Sequence, residues 1–315
     1  MKPITQENDR LGFVGIGYMG RPIARRLLEA GFKLTAYDRD TSKAEELICY
    51  GGTVAKSISE LSSTCNVVLS CLPSDEAVLA TYRGPDGAFA HANRGAVVID
   101  MSTVYPETSE ELARLGAGRG VEVLDVTISG STPTADSGLL TLFGGGNQAR
   151  FDSAESIFRV IAKNYFYLGP HGSGATMKLV VNSLLGIGMQ AIAEAVALGE
   201  KAGLDRNRLL DVLSQTAVVA PAHAGKLQRA KKCDYSPQFP IRLMNKDFGL
   251  ILNLAASVGV RMPAAGAAFG INARQLDEGT EQDFSAVILQ MEKQAHLNYT
   301  DRWAPADGNS AVAAR

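Results

Sequence analysis

Over the first half of the chain, apolar residues fall in short continuous runs. Arg10 to Gly15, Val67 to Leu72 and Ala96 to Met101 have the length and make-up of parallel strands buried on both faces. Lys33 to Asp38, Val121 to Asp125, Leu139 to Phe143 and Tyr165 to Leu168 add further strands. Between them, Arg21 to Ala30 is amphipathic, with Pro22 tolerated in its first turn. Ser42 to Glu45 and Ser57 to Glu60 each match a capping box opening a helix. Phe151 to Ala162 reads as another helix, and Gly144-Gly-Gly146 as a turn. Strands alternating with helices predict an open, parallel α/β sheet.

In the second half the period becomes helical. Gly172 to Glu194 is almost wholly apolar and free of Pro, which predicts one long helix. Its only charged residue before Glu194 is Lys178, and Asn182 follows four positions later on the same face. A single ammonium in such a stretch needs a partner, a cleft or solvent. Asp205 to Ser214 (Asp205 as cap), Ala217 to Lys232, Phe239 to Val258, Ala264 to Glu278 and Phe284 to Leu297 complete an all-helical region. The expected domains are therefore 1–171, 172–300 beginning with an interdomain helix, and a frayed tail over 301–315.

The first strand runs into Gly15-Ile16-Gly17-Tyr18-Met19-Gly20, then a helix, a strand and Asp38. That order is the dinucleotide-binding unit of a Rossmann-type domain. Gly15 permits the tight turn, Gly17 the approach of a pyrophosphate, and Gly20 the helix-to-strand contact. The pyrophosphate sits at the helix N-terminus, where free N–H groups and the dipole favour an anion. Asp38 suits the ribose hydroxyls of NAD and repels the extra phosphate of NADP, while Arg39 softens that repulsion. NAD is the favoured cofactor of the two. Leu72, Pro73, Ser102 and Thr103 follow the carboxyl ends of strands, where ligands of open sheets bind.

After Asp125 comes Thr127-Ile-Ser129-Gly130-Ser131-Thr132-Pro133, a hydroxyl-rich loop. Its N–H and O–H donors suit a carboxylate, and an ordinary polar hairpin fits the composition as well. Adjacent Lys246 and Asp247 read as a solvated surface pair.

With 46% hydrophobic and 20% charged residues among 315, the composition is that of a globular chain. A net charge of -2 gives no electrostatic reason to expect nucleic acid or a membrane surface as partner. The apolar run around Lys178, Asn182 and Gln190 is too interrupted for a membrane span. Four cysteines without CxxC spacing and a polar start at Met1 to Asp9 point to a reducing, cytoplasmic setting. Four scattered histidines offer no metal-ligand spacing.

Together the motifs resemble the β-hydroxyacid dehydrogenase family, which includes 3-hydroxyisobutyrate dehydrogenase, tartronate semialdehyde reductase and the glyoxylate/succinic semialdehyde reductases, within the 6-phosphogluconate dehydrogenase-like superfamily. The resemblance rests on Phe13 to Gly20, Asp125 to Ser131, Gly172 to Asn182 and Lys246-Asp247-Phe248, in that order. It implies Lys178 as catalytic acid/base and Asn182 as a substrate or orienting ligand. It further implies Ser129, Gly130 and Ser131 around a small carboxylate substrate, Thr103 and Lys246 near the nicotinamide, and Leu72 and Pro73 along the cofactor. Thr127 and Ser131 depart from the family's usual Pro and Gly, so the individual substrate stays open, as does the subfamily. The resemblance also implies a homodimer or homotetramer. Two other readings are an imine reductase of the same fold, against which Lys178 speaks, and a non-catalytic nucleotide-binding interaction module.

Overall fold

The computed structural model describes residues 1–277 and 281–297. The expected tail at 301–315 and the helix end at Glu278 lie outside the described residues. The chain divides into two compact units, the first comprising 1–184 and 243–263.

The first unit is built on an eight-stranded sheet in the order β3-β2-β1-β4-β5-β6-β7-β8. Its strands are β1 (Arg10–Val14), β2 (Lys33–Tyr37), β3 (Thr53–Val54), β4 (Val67–Ser70), β5 (Val97–Asp100), β6 (Glu122–Ser129), β7 (Leu140–Gly146) and β8 (Ala162–Gly169). Neighbouring strands are parallel throughout except β6 and β7. The connecting helices are α1 (Gly20–Glu29), α2 (Thr41–Glu45), α3 (Ile58–Thr64), α4 (Asp75–Tyr82), α5 (Ala88–His91), α6 (Pro106–Ala117), α7 (Thr132–Asp136), α8 (Gln148–Ser153) and α9 (Glu155–Ile161).

The two-residue period sorts the strand side chains between two cores. Leu11, Phe13, Val67, Leu69, Val97, Ile99, Leu124 and Val126 fill one face, and Val14, Val68, Val98 and Val123 the other. Each fully buried Leu, Ile or Phe contributes roughly 1.5–3 kcal/mol. The second face ends in polar residues: in register, Val14 pairs with Ser70, Ser70 with Asp100, and Asp100 with Asp125. A polar row thus crosses the sheet at its carboxyl edge.

Three local expectations are corrected. Ser42 lies inside α2, whose N-cap is Asp40, because the Ser42 hydroxyl turns back to Asp40 Oδ1 at 2.6 Å. Thr127 to Ser129, read as loop, continue β6, since each residue pairs with β7. Gly144 to Gly146, read as a turn, are strand residues opposite Leu124 to Val126. A side chain at Gly144 would come within 2.1 Å of the Phe151 ring and one at Gly145 within 2.6 Å of Asp125 Oδ1, so these two glycines answer to packing, while Gly146 has φ +123°. The other capping box holds in part: Ser57 accepts from Glu60 N–H, and Glu60 accepts from Lys56 N–H.

Two long helices, α10 (Ser173–Lys201) and α13 (Ile241–Ser257), contribute residues to both units. The expected boundary at 171 marks the start of α10, whereas the units divide after Leu184. Among the described residues α10 is long and apolar enough to cross a membrane by length and composition alone.

The second unit, 185–242 and from 264 onward, is helical, with α11 (Arg206–Ser214), α12 (Pro221–Lys231), α14 (Pro263–Asp277) and α15 (Val287–Gln294). Buried Arg206 ties it together, bonding Glu292 Oε1 at 2.6 Å, Ala230 O at 3.0 Å and Tyr235 OH at 3.0 Å. Burial pushes the Glu292 carboxyl well above its ordinary range.

Candidate active site

Every candidate residue lies in the first unit. The glycine loop folds as its spacing requires. Gly15 has φ +92° and a side chain there would meet Cys71 O at 2.4 Å, so only glycine fits. Gly20 lies against Gly15 O and the Phe13 ring, where a Cβ would reach within 1.9 Å and 3.0 Å. Gly17 instead faces open space, with no atom within 4 Å of where a Cβ would stand. No side chain caps α1 at Met19 and no acidic residue stands in its first turn. Tyr18 is exposed. The loop therefore has room and free positive dipole for an anionic phosphate.

Asp38 accepts from Ile16 N–H at 2.7 Å and from Asp40 N–H at 2.9 Å. Its carboxylate braces the glycine loop, a role its position after β2 does not reveal, and each oxygen keeps a further lone pair. Arg39 beside it is exposed.

Beyond β4 and β5 the chain is held by a buried network. Asp100 Oδ1 accepts from Ser70 Oγ at 2.6 Å and Ser102 Oγ at 2.7 Å. Tyr82 OH donates to Ser70 Oγ, and Leu72 N–H donates to Ser102 Oγ at 2.9 Å. The network fixes Leu72 and the approach to Thr103. Burial raises the Asp100 carboxyl to about 6, and nearby Asp125 adds to the shift. The same burial pushes the Cys71 thiol to about 12.

On α10, Lys178 makes no hydrogen bond or ion pair among the described residues. It keeps a partial path to solvent, yet protein surrounds its amine closely enough that burial lowers its pKa to about 8. Asp247 opposes that shift, Lys246 adds to it, and the Cys71 thiol opposes it. Asn182, one turn on, is buried and donates from Nδ2 to Asp247 Oδ2 at 2.6 Å. Lys246 Nζ donates to Thr103 O at 2.5 Å and pairs with Asp247 Oδ1 at 2.8 Å. The expected solvated pair at 246–247 is thus corrected: Asp247 is 1% exposed, because α13 turns it toward Asn182. Residues 71–72, 102–103, 178–182 and 246–247 converge.

Ser129 ends β6, and Gly130 has φ +141° with Thr134 and Leu140 packed where a side chain would go. Ser131 opens α7, its N–H donating to Thr134 Oγ1 at 3.3 Å. This segment touches the cofactor loop, since Thr132 Oγ1 bonds Tyr18 O at 3.4 Å and Arg25 pairs with Asp136 at 3.1 Å. It is tied to α10 through Thr127 Oγ1, which donates to Gly174 O at 2.8 Å. A surface cleft of about 440 Å³ beside Pro106, Leu168, Met177 and Val180 contains none of the candidate residues.

Sequence reasoning missed Asp100, Asp125 and Asp247. For the first two the signal was an acid terminating an otherwise apolar strand run; Asp247 stood within the Lys246-Asp247-Phe248 motif, which by itself assigned it no role.

The comparisons agree with this geometry. The signature described as the NAD binding domain of 6-phosphogluconate dehydrogenase matches residues 10–169. That described as NAD-binding of NADP-dependent 3-hydroxyisobutyrate dehydrogenase matches residues 172–291. Glyoxylate/succinic semialdehyde reductase 1 of Arabidopsis thaliana is 37% identical over 88% of this chain and 96% of its own. The NAD-dependent L-serine dehydrogenase of Pseudomonas aeruginosa is 32% identical over 88% of this chain and 96% of its own. The crystal structure of a 3-hydroxyisobutyrate dehydrogenase from Salmonella typhimurium superimposes with TM-score 0.83 at 26% identity, covering 90% of this chain and 99% of that one. With a dinucleotide loop, a half-buried lysine in the apolar stretch of α10 and these relatives spanning nearly its whole length, the chain belongs to the β-hydroxyacid dehydrogenase family of NAD(P)-dependent oxidoreductases.

Proposed function

We propose that Lys178 is the general acid/base of a hydride transfer between NAD(P) and a small β-hydroxy acid or its semialdehyde. The observation that carries the reading is the Lys178 amine itself, unpaired and held near pKa 8. An ordinary lysine, near 10.4, is too basic to be a good base at neutral pH.

The open space at Gly17 and the uncapped start of α1 fit a dinucleotide. Gly15 to Gly20, Asp38, Leu72, Pro73, Thr103 and Lys246 would hold it, with Arg39 at the adenosine end. When bound, the nicotinamide supplies or accepts the hydride. Ser129, Gly130 and Ser131 grip the substrate carboxylate, and Asn182 orients the reacting oxygen. On oxidation, Lys178 Nζ takes the hydroxyl proton as the carbon loses hydride and the C=O bond forms. On reduction, the Lys178 ammonium returns that proton to the carbonyl oxygen. Asp38 favours NAD, because its charge opposes a 2′-phosphate.

Imine reduction is the weaker alternative, since the sequence relatives described above are hydroxy-acid enzymes. Exposed Val180 and Leu184 on α10 support a homodimer or homotetramer, and four free cysteines support a cytoplasmic setting.

The test is turnover over 3-hydroxyisobutyrate, glycerate, tartronate semialdehyde, glyoxylate and succinic semialdehyde with each nicotinamide cofactor. Activity on at least one, lost in Lys178→Ala by about 10²–10⁴ in kcat, supports the reading. Near-normal turnover by Lys178→Ala with cofactor bound sinks it.

A further inference from the structure

The start of α10 is seated on the sheet by one side chain. Gly172 N–H donates to Asp125 Oδ1 at 3.1 Å, and Ala175 N–H donates to Oδ2 at 3.1 Å. These are the N–H groups that a helix leaves unpaired at its N-terminus, and a carboxylate there also meets the positive end of the dipole. Alternate residues of β6 reinforce the seat. His171 Nε2 donates to Val123 O at 2.9 Å, and Thr127 Oγ1 to Gly174 O at 2.8 Å.

Two glycines clear the space the carboxylate occupies. A Cβ on Gly145, the register partner of Asp125, would stand 2.6 Å from Oδ1. A Cβ on Gly174 would stand 2.9 Å from Oδ2 and 2.4 Å from the Asp125 carbonyl. Asp125 itself is 2% exposed. A buried carboxylate is costly without compensation, and every bond it makes here is spent on the helix that carries Lys178 one turn beyond Ala175.

The geometry points to Asp125 as a positioning residue of the hydride-transfer site: by clamping the first turn of α10 to β6, it sets where the Lys178 amine stands. The inference rests on the reading of Lys178 as acid/base. The titratable groups facing Asp125 are Asp100 on β5 and His171; those facing Lys178 are Asp247 and Lys246 on α13, with the Cys71 thiol after β4. If the clamp loosens, Lys178 is less enclosed, so its pKa rises toward that of a free lysine.

The experiment compares Asp125→Asn with the parent enzyme, measuring kcat, cofactor affinity, melting temperature and the pH profile of kcat. Asparagine keeps the volume but turns one acceptor into a donor facing a backbone N–H. The expected result is kcat down by about 10- to 100-fold, as for a displaced catalytic group, with the Lys178 limb moved to higher pH and cofactor affinity kept. Thr127→Val, which removes the bond to Gly174 O at 2.8 Å and a longer one to Phe143 O at 3.5 Å, shifts both in the same direction by less, and serves where Asp125→Asn does not fold. Unchanged kcat and limb, or a lower melting temperature with kcat and limb of the folded enzyme unchanged, overturns the proposal. Lys178→Ala is assayed alongside. Inactive Lys178→Ala with an unaltered Asp125→Asn overturns the clamp alone, whereas active Lys178→Ala overturns the lysine reading and the clamp's catalytic role with it.

Discussion

Asn182 Nδ2 donates to Asp247 Oδ2 at 2.6 Å, with both residues 1% exposed. A carboxylate only accepts, so the amide must present its NH₂ to Asp247. Among the described residues the buried amide oxygen has no partner, so it is free to accept from the substrate hydroxyl of the proposed reaction. Asp247 thus fixes Asn182 while its charge favours the Lys178 ammonium. In Asp247→Asn the ammonium loses that support, so the Lys178 limb in the pH profile of kcat moves to lower pH. A limb that stays in place shows that Asp247 does not reach Lys178 electrostatically.

The wild-type profile follows from the lysine. With Lys178 as the proposed acid/base, oxidation should need the neutral amine and rise as pH passes about 8, and reduction should need the ammonium and fall over the same range. The lowered folded pKa has a stability consequence. The neutral form is favoured in the fold, so Lys178 contributes stability only at high pH, and that contribution is lost as pH falls through about 8. At neutral pH the buried ammonium costs up to about 3 kcal/mol. Lys178→Met is therefore expected to abolish turnover and raise the melting temperature at pH 7, with the gain shrinking toward pH 10. Thermal melts across that range check the sign.

Two glycines of one motif should fail in opposite ways. Gly17→Ala meets no atom of the protein, so the melting temperature holds while cofactor affinity falls, by tenfold or more if the methyl displaces the pyrophosphate (about 1.4 kcal/mol or more). Gly20→Ala drives a methyl into Gly15 O, and the melting temperature drops. Fluorescence titration with NADH alongside thermal melts separates the two. Equal effects on both quantities in both variants contradict the assignment.

That contrast marks what the sequence made legible. The order strand, Gly15-x-Gly17-x-x-Gly20, helix, Asp38 fixes the cofactor loop because its geometry is local. Gly144 and Gly145 misled because glycine is needed there by Phe151 and Asp125, which approach from other segments of the chain. Lys246-Asp247 looked like a surface pair because nothing in adjacent residues encodes that Asn182 lies opposite, 65 positions away in sequence. Local chemistry was readable, and long-range burial was not.

In the proposed reading, cofactor choice turns on Asp38 and Arg39. Asp38 braces Ile16 and Asp40 through their N–H groups, so Asp38→Ala should loosen the loop and weaken both cofactors. Arg39 is exposed beside it, and its guanidinium suits an added phosphate. Arg39→Ala is expected to weaken NADPH and leave NADH unchanged, with NADH bound better by the parent. NADPH bound at least tenfold tighter by the parent overturns the part given to Asp38.

Asp100 offers a test of burial alone. Both hydroxyl donors, Ser70 and Ser102, converge on the same oxygen, Oδ1, so an amide oxygen can keep both bonds. Burial raises the folded pKa to about 6 from an ordinary 3.8. The fold therefore favours the protonated acid: the stability it contributes is full below pH 3.8 and is lost as pH rises through about 6. Above that, ionised Asp100 costs up to about 3 kcal/mol relative to a neutral group. Relative to wild type, Asp100→Asn should gain more in melting temperature at pH 8 than at pH 5, with the difference opening as pH rises from 3.8 through about 6. A variant less stable at pH 8 than at pH 5, relative to wild type, means that the carboxylate charge itself supports the Ser70–Ser102 network.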